Sequence, residues 1–132
     1  MTILERVKEQ FSRDRFAINT GIEILQADVG HAVCVLPLRD EHMNANDVPM
    51  GGVIFTLADF TFAVAANAGR DDGAVVSQQM SITFLSPARG RELRAEARCI
   101  KAGRRTCLYE ICVTDELGTK VAHTTGNGFT AG

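Results

Sequence analysis

One carboxylate stands alone in a long apolar stretch of this sequence. Residues 50–69, MGGVIFTLADFTFAVAANAG, contain a single charged side chain, Asp59. An unpaired carboxylate is costly to bury in an apolar helix, so this one must be held by hydrogen bonds or must do chemistry. As the only carboxylate in the stretch, Asp59 is the candidate for a nucleophile or a general base.

Two glycines, Gly51 and Gly52, stand at the start of the same stretch. The first turn of a helix has backbone N–H groups without partners, and glycine lets a ligand approach the backbone closely. These amides therefore suit an oxyanion hole for a reaction that builds negative charge on a carbonyl oxygen. The alternative is that the pair forms only a tight turn.

The spacing of these groups bears on how they could work together. Gly51 and Asp59 are eight residues apart, which is about 12 Å along a helix, whereas attack or proton transfer needs contact at about 3 Å. Two chains related by a two-fold axis could pair one Asp59 with the other glycine turn, so we expect an obligate dimer with shared sites. Small residues would let the two helices approach closely: Ala58, Ala63, Ala65 and Ala66.

The stretch itself predicts a helix that is buried in protein. Its length would suit a membrane span, but it is rich in Ala and Gly, and Asp59 in mid-span would be costly in lipid. Apolar residues lie on all sides of the predicted helix, so we expect other elements to enclose most of its faces. Asn67 and Gly69 are expected to end it.

The rest of the chain predicts the sheet that encloses this helix. We expect a short helix in TILERVKEQF, with Thr2 and Glu5 in capping-box spacing. We expect two strands that meet near Val29-Gly30 in GIEILQADVGHAVCVLPL. Four more strands are expected in AVVSQQMSITFL, ELRAEARCIKAG, TCLYEICVTD and KVAHTTGNGF, with turns at 102–104 and 116–118. We predict an α+β fold, one domain over residues 1–132, with an antiparallel sheet wrapped around one long central helix.

A family resemblance rests on two runs of this sequence. HMNANDVPMGGVIFTLADFTFAVAANA, followed by VVSQQMSITFLSPARG, closely resembles the hotdog-fold acyl-CoA thioesterases of the phenylacetate-pathway type. In that family a histidine, an asparagine two residues on and a Gly-Gly pair precede the long helix, whose acidic residue follows Leu-Ala. The resemblance covers residues 42 to about 129. Two features depart from the pattern: Met50 stands where histidine usually precedes the glycines, and Ala45 and Asp47 stand where glycines are common.

The resemblance implies a hotdog fold and a thioesterase site built across a dimer, with Asp59 of one chain facing the glycine turn of the other. Asn44 and Ser77 match family positions that assist catalysis. Without the resemblance, Asn44 could equally be an asparagine that caps its own loop. Ser77 could be a strand residue that faces solvent. His42 matches the upstream histidine, although a lone loop histidine is usually only solvated.

Contacts to the substrate are less specific in the sequence. We expect Met50 to pack on an apolar acyl group, and Phe55 and Phe62 to line the acyl site, although any protein core contains such residues. Phenylacetyl, hydroxybenzoyl and medium-chain acyl groups all stay open. Whether Asp59 acts as nucleophile or as general base stays open too.

Basic residues concentrate after the third predicted strand. Half of the 14 lysines and arginines lie between Arg89 and Arg105. Those that alternate with apolar residues suit a solvated strand face, whereas Arg89, Arg104 and Arg105 fall in predicted loops. Coenzyme A carries phosphates that need such partners, so we expect these three arginines to bind it. A formal net charge of −2 and few aromatic residues argue against a nucleic-acid partner.

The cysteines and the N-terminus predict a cytoplasmic protein. The four cysteines contain no C-x-x-C pair and favour reduced thiols: Cys34, Cys99, Cys107 and Cys112. The N-terminal segment is charged from Glu5 onward and shows no signal peptide. His31 and His123 have no partner in sequence, and no His, Cys, Asp and Glu cluster has metal-ligand spacing. We therefore expect neither a metal nor a cofactor.

Three functions stay open at this point. The first is hydrolysis of an acyl-CoA by a homodimer, expected to assemble further into a dimer of dimers, with no membrane partner. The second is a module of the same fold that binds acyl-CoA without catalysis. The third and weaker one is a dehydratase, which would want a histidine paired with Asp59, and the sequence offers no convincing one.

Overall fold

A computed structural model describes residues 1–71 and 73–131, and in this part of the chain a six-stranded antiparallel sheet packs against one long helix. The elements are α1 (Ile3–Phe11), α2 (Arg15–Thr20), β1 (Glu23–Asp28), β2 (His31–Pro37), α3 (Gly51–Asn67), β3 (Ala74–Phe84), β4 (Glu92–Ala102), β5 (Thr106–Asp115) and β6 (Lys120–Ala131), with a short 3-10 turn over Asp40–His42. The predicted α+β hotdog arrangement is confirmed.

The sheet has the strand order β1-β2-β4-β5-β6-β3, and every neighbouring pair is antiparallel. Strands β4 and β5 alternate as predicted and bury one face beneath α3: Leu93, Ala95, Ala97, Tyr109, Ile111 and Val113. Strand β3 returns from α3 to the far edge beside β6, so its other side has no partner strand in the described residues. An unpaired edge strand of 11 residues is a surface on which a second chain can pair.

The N-terminal segment contains one helix more than the sequence predicts. Helix α1 has the predicted capping box, in which Thr2 Oγ1 accepts from the Glu5 N–H and Glu5 Oε1 accepts from the Thr2 N–H, both at 3.0 Å. The six-residue helix α2 was not predicted, because it is too short to show a helical period. It ends at Gly21, whose φ of 99° is left-handed and easiest for glycine.

Helix α3 is enclosed on all sides but one. Ten of its 17 residues are buried, so the sheet and the N-terminal helices cover most of its faces. The exposed or half-buried positions include Gly52, Phe55, Asp59 and Ala63, which recur every three or four residues and form one line along the helix. We call this line the open stripe. None of the helices in the described residues is long and apolar enough to cross a membrane.

Asn67 ends α3 by binding the next strand. Its Oδ1 accepts from the Val75 N–H at 2.8 Å, and its Nδ2 donates to the Val75 carbonyl at 3.1 Å and to the Ala63 carbonyl at 2.9 Å. The predicted end of the helix at Asn67 is confirmed. These bonds also fix where β3 begins relative to α3, and therefore which β3 side chains face the helix.

Asp115 holds the loop between β3 and β4. This buried carboxylate accepts backbone N–H bonds from Arg89, Gly90, Leu117 and Thr119 at 2.8 to 3.0 Å. Burial alone would raise the pKa of Asp115, but the backbone amides outweigh it and hold the pKa well below its ordinary value. The loop that runs past the start of α3 is therefore fixed by a charged anchor.

Candidate active site

The first turn of α3 presents two free backbone donors. The Met50 N–H donates to the His42 carbonyl at 2.9 Å, and the Val53 N–H donates to the Met50 carbonyl at 3.0 Å. Between them, the amides of Gly51 and Gly52 have no acceptor within residues 1–71 and 73–131. Both donors lie at the positive end of a 17-residue helix, an arrangement that suits an oxyanion.

The surroundings of the two glycines differ. Gly52 is exposed, whereas Gly51 is half-buried beneath the ring of Phe84. A Cβ added at Gly51 would lie 3.0 Å from Phe84 Cζ, so a side chain there would push the ring away. Glycine at this position keeps the Phe84 ring against the helix start.

Asp59 lies on the open stripe, two helical turns after the glycines. Burial raises the pKa of the Asp59 carboxyl, a side-chain hydrogen bond from Ser77 opposes the rise, and the charge of Asp14 adds to it. A carboxylate with a raised pKa is a better base near neutral pH than an ordinary aspartate. The structure thus brings Ser77 to Asp59. Asp14, at the start of α2, was missed because nothing in its sequence position points to α3.

Asn44 caps its own loop and keeps a donor free. Its Oδ1 accepts from the Asn46 N–H at 2.8 Å and from the Val48 N–H at 3.4 Å. Its Nδ2 has no partner in the described part of the chain. Asp47 in this loop has a φ of 61°, a left-handed conformation that aspartate tolerates and glycine adopts easily. Asp47 thus adopts a backbone conformation that glycine takes more easily, at a position where the resemblance leads us to expect glycine.

His42 is buried, and both of its ring nitrogens form hydrogen bonds. It is 3% exposed, its Nδ1 accepts from the Arg39 N–H at 3.0 Å, and its Nε2 donates to the Thr20 carbonyl at 2.8 Å. Both ring nitrogens are therefore used, and neither can bind a ligand without breaking one of these bonds. The His42 ring therefore ties the pre-helix loop to α2, and because His42 also lies in the lining of the larger groove at the start of α3, substrate binding by His42 stays a prediction.

The three apolar candidates have different surroundings. Phe62 is fully buried, and its ring meets Tyr109 edge-on at 5.2 Å between centroids. Contact between Phe62 and the substrate stays a prediction, which this burial does not favour. Phe55 is half-buried on the open stripe, and Met50 is 55% exposed at the helix start.

Two grooves flank the start of α3. The larger, of about 660 Å³, includes Phe16, Met50, Gly52 and Thr56 in its lining. The smaller, of about 300 Å³, lies on the other side, and the residues lining it include Gly51, Phe84 and Leu85. Each of the two glycine amides therefore borders a groove with apolar walls.

The three arginines expected to bind phosphate lie in two places. Arg89 precedes β4, and Arg104 and Arg105 follow it. Because β4 has 11 residues, its ends are about 33 Å apart at the usual rise of a strand. One chain therefore cannot gather these side chains into one patch. Arg89 lies near the start of α3, two residues after Pro87 of the smaller groove.

Comparison with known proteins identifies the family to which this fold belongs. Residues 48–122 match the family model of the Thioesterase superfamily. The acyl-coenzyme A thioesterase PaaI of Escherichia coli is 32% identical over 113 residues, which cover 85% of this chain and 79% of that protein. The structure of E. coli PaaI, from the phenylacetic acid degradation operon, superposes with a TM-score of 0.91 at 28% identity, covering 98% of this chain and 94% of that one. A Streptococcus mutans protein solved with acetyl CoA bound gives a TM-score of 0.78 at 26% identity, covering 85% and 90%.

Proposed function

The chain belongs to the thioesterase superfamily, and we propose that it hydrolyses an acyl-CoA to the free acid and CoA. One observation carries this proposal. A half-buried carboxylate with a raised pKa, Asp59, lies on the uncovered stripe of the same helix whose first two amides are unpaired. These are the base or nucleophile and the oxyanion donors that thioester hydrolysis needs.

The proposed site combines two chains. Within one chain the Gly51 amide and Asp59 are fixed about two turns apart by α3 itself. The open stripe and the free edge of β3 lie where a second copy could pair with its α3 antiparallel to the first. We propose a homodimer in which the Asp59 carboxylate of one chain faces the glycine amides of the other.

The chemical step needs charge stabilisation on the thioester oxygen. In the general-base route, Asp59 takes a proton from water as the water attacks the carbonyl, and the tetrahedral intermediate expels CoA thiolate. In the nucleophilic route, the carboxylate attacks first and expels CoA thiolate, and water then cleaves the resulting anhydride. In both routes the Gly51 and Gly52 N–H groups donate to the oxyanion. Ser77 would hold the carboxylate, and the free Nδ2 of Asn44 could donate to the water or the thioester.

Met50 is compatible with this mechanism. The proposed oxyanion donors are main-chain amides, which any residue before the glycines leaves in place. The exposed Met50 side chain lines the larger groove, where a thioether can pack on an apolar acyl group. We propose that an aromatic acyl group, phenylacetyl or hydroxybenzoyl, or a medium-chain one occupies a groove beside α3.

Two further expectations belong with this function. The four cysteines all lie in the described residues and form no disulfide, as suits a reducing compartment, and we propose that the enzyme is cytoplasmic. Burial raises the pKa of the Cys34 thiol to about 12, so this cysteine is no candidate for the nucleophile.

Release of free CoA thiol from a panel of aromatic and aliphatic acyl-CoAs tests the function. We expect turnover of at least one class by the wild type and none by an Asp59→Asn variant, which keeps the side-chain shape. Saturable acyl-CoA binding without turnover would contradict the proposal and identify a binding module.

A further inference from the structure

Three metal-ligating side chains meet on the face of the sheet that points away from α3. Cys112 lies on β5 between the buried residues Ile111 and Val113, so its side chain points outward. His123 on β6 is its direct cross-strand partner, and Glu110 is two residues earlier on the same face of β5. The ligand atoms of Glu110, Cys112 and His123 all lie within 4.8 Å of one another.

The sequence hides this group because its members come from two strands. Residues at positions 110, 112 and 123 match none of the usual metal-binding spacings, and the sequence accordingly predicts no metal site. Antiparallel pairing of β5 and β6 places Cys112 opposite His123, where cross-strand Cβ atoms lie about 5 Å apart.

We propose that Glu110, Cys112 and His123 bind a divalent zinc ion on the outer face of the sheet. Thiolate, imidazole and carboxylate are the three ligand types that Zn²⁺ takes from proteins, and three protein ligands plus water complete a tetrahedron. The cysteine would bind as thiolate and release its proton to solvent. This site is independent of the proposed hydrolytic site.

The geometry needs only small adjustments. Zinc bonds of about 2.0 to 2.3 Å place the ligand atoms of a tetrahedral site about 3.3 to 3.8 Å apart. In this structure the three candidate ligand atoms lie within 4.8 Å of one another. His123 Nε2 donates to Glu110 Oε2 at 2.8 Å, and zinc would replace this hydrogen bond, with the imidazole proton moved to Nδ1; each of the two side chains is 42% exposed. The ion can therefore enter from solvent, and rotation of exposed side chains suffices to close the site.

A similar pair on the same sheet provides a matched control. His31 Nε2 lies 2.7 Å from Glu96 Oε2, but Arg98 donates to the same oxygen at 2.9 Å. That pair has a cation beside it and belongs to no group of three candidate ligands among the described residues. If any surface histidine–glutamate pair sufficed, both pairs would bind zinc equally.

Calorimetric titration of the purified metal-free protein with Zn²⁺ tests the proposal, with Co²⁺ as a spectroscopic probe of thiolate ligation. We expect one ion per chain and a thiolate-to-cobalt charge-transfer band. Cys112→Ser and His123→Gln should each weaken zinc binding by at least ~10-fold, and Cys112→Ser should abolish the band. His31→Gln and Cys107→Ser should leave the zinc affinity and the cobalt band unchanged.

Three results would overturn the site. The first is absence of saturable zinc binding by the folded wild type. The second is binding that survives both Cys112→Ser and His123→Gln. The third is one ion per two chains, which would place the metal between copies. Circular dichroism of each variant verifies that it is folded, and because Cys112 is exposed, its replacement should not disturb the core.

Discussion

At the scale of single residues, the surroundings of Asp59 disfavour its charged form. Its carboxylate is half-buried beside the charge of Asp14, and only the Ser77 hydrogen bond favours its ionised form among the causes that shift its pKa. A purely structural carboxylate is held differently, as Asp115 shows with its four backbone N–H donors. The contrast between these two aspartates favours a chemical role for Asp59.

Replacing Asp59 with Asn should separate stability from activity. Since the pKa of Asp59 is raised on folding, the native state loses stability as pH rises from the unfolded pKa through the folded pKa. Near neutral pH the variant should therefore melt at the wild-type temperature or above it, and the difference should fade in acid. Turnover should fall by at least ~10²-fold. A variant that keeps its turnover, or that loses activity because it unfolds, would contradict the assignment.

Replacing Ser77 with Ala should shift the pH dependence. The Ser77 hydrogen bond lowers the pKa of Asp59, so its loss should raise that pKa further and move the acid limb of kcat/KM to higher pH. Ser81→Ala, also exposed on β3, is the matched control and should leave the profile in place. A pH profile of Ser77→Ala that coincides with the wild-type profile would remove Ser77 from the site.

At the scale of elements, the sequence predicts strands whose residues alternate and helices whose ends carry capping residues. The alternation in β4 and β5, the Thr2–Glu5 capping box and the end of α3 at Asn67 were all predictable, because each depends on neighbours in the chain. The lack of a period in α2 hid that helix. The contacts of His42 and Phe62 could not be predicted, because their partners, Thr20 and Tyr109, are distant in sequence.

Strand β4 also decides how the basic residues can act, since it keeps Arg89 away from Arg104 and Arg105. Because Arg89 is near the start of α3, Arg89→Ala should raise the KM for acyl-CoA, and less so for an acyl-pantetheine that lacks the nucleotide. The double change Arg104→Ala and Arg105→Ala should have little effect on either substrate. Steady-state kinetics on both substrates checks this, and the reverse outcome would place the nucleotide at the other end of β4.

At the scale of the whole molecule, the proposed site is complete only in a pair of chains. The open stripe exposes Asp59, and the first turn of the same helix exposes unpaired amides that Asp59 of its own chain cannot reach. The sequence could predict the separation between Asp59 and the glycine amides of its own chain, because helix rise alone sets it. The grooves and the free edge of β3 could not be predicted from the sequence, since they are formed by segments far apart in the chain.

Complementation between two inactive chains tests this claim most directly. Gly51→Pro removes one proposed donor at a first-turn position where proline suits the helix backbone, and its ring moves the Phe84 side chain aside. Asp59→Asn removes the carboxylate. A heterodimer, co-expressed with two different tags and purified on both, would contain one site with both groups intact and one with neither. We expect each homodimer to be inactive and the heterodimer to have about half the wild-type activity. A folded heterodimer that hydrolyses no acyl-CoA turned over by the wild type would contradict a site shared between chains.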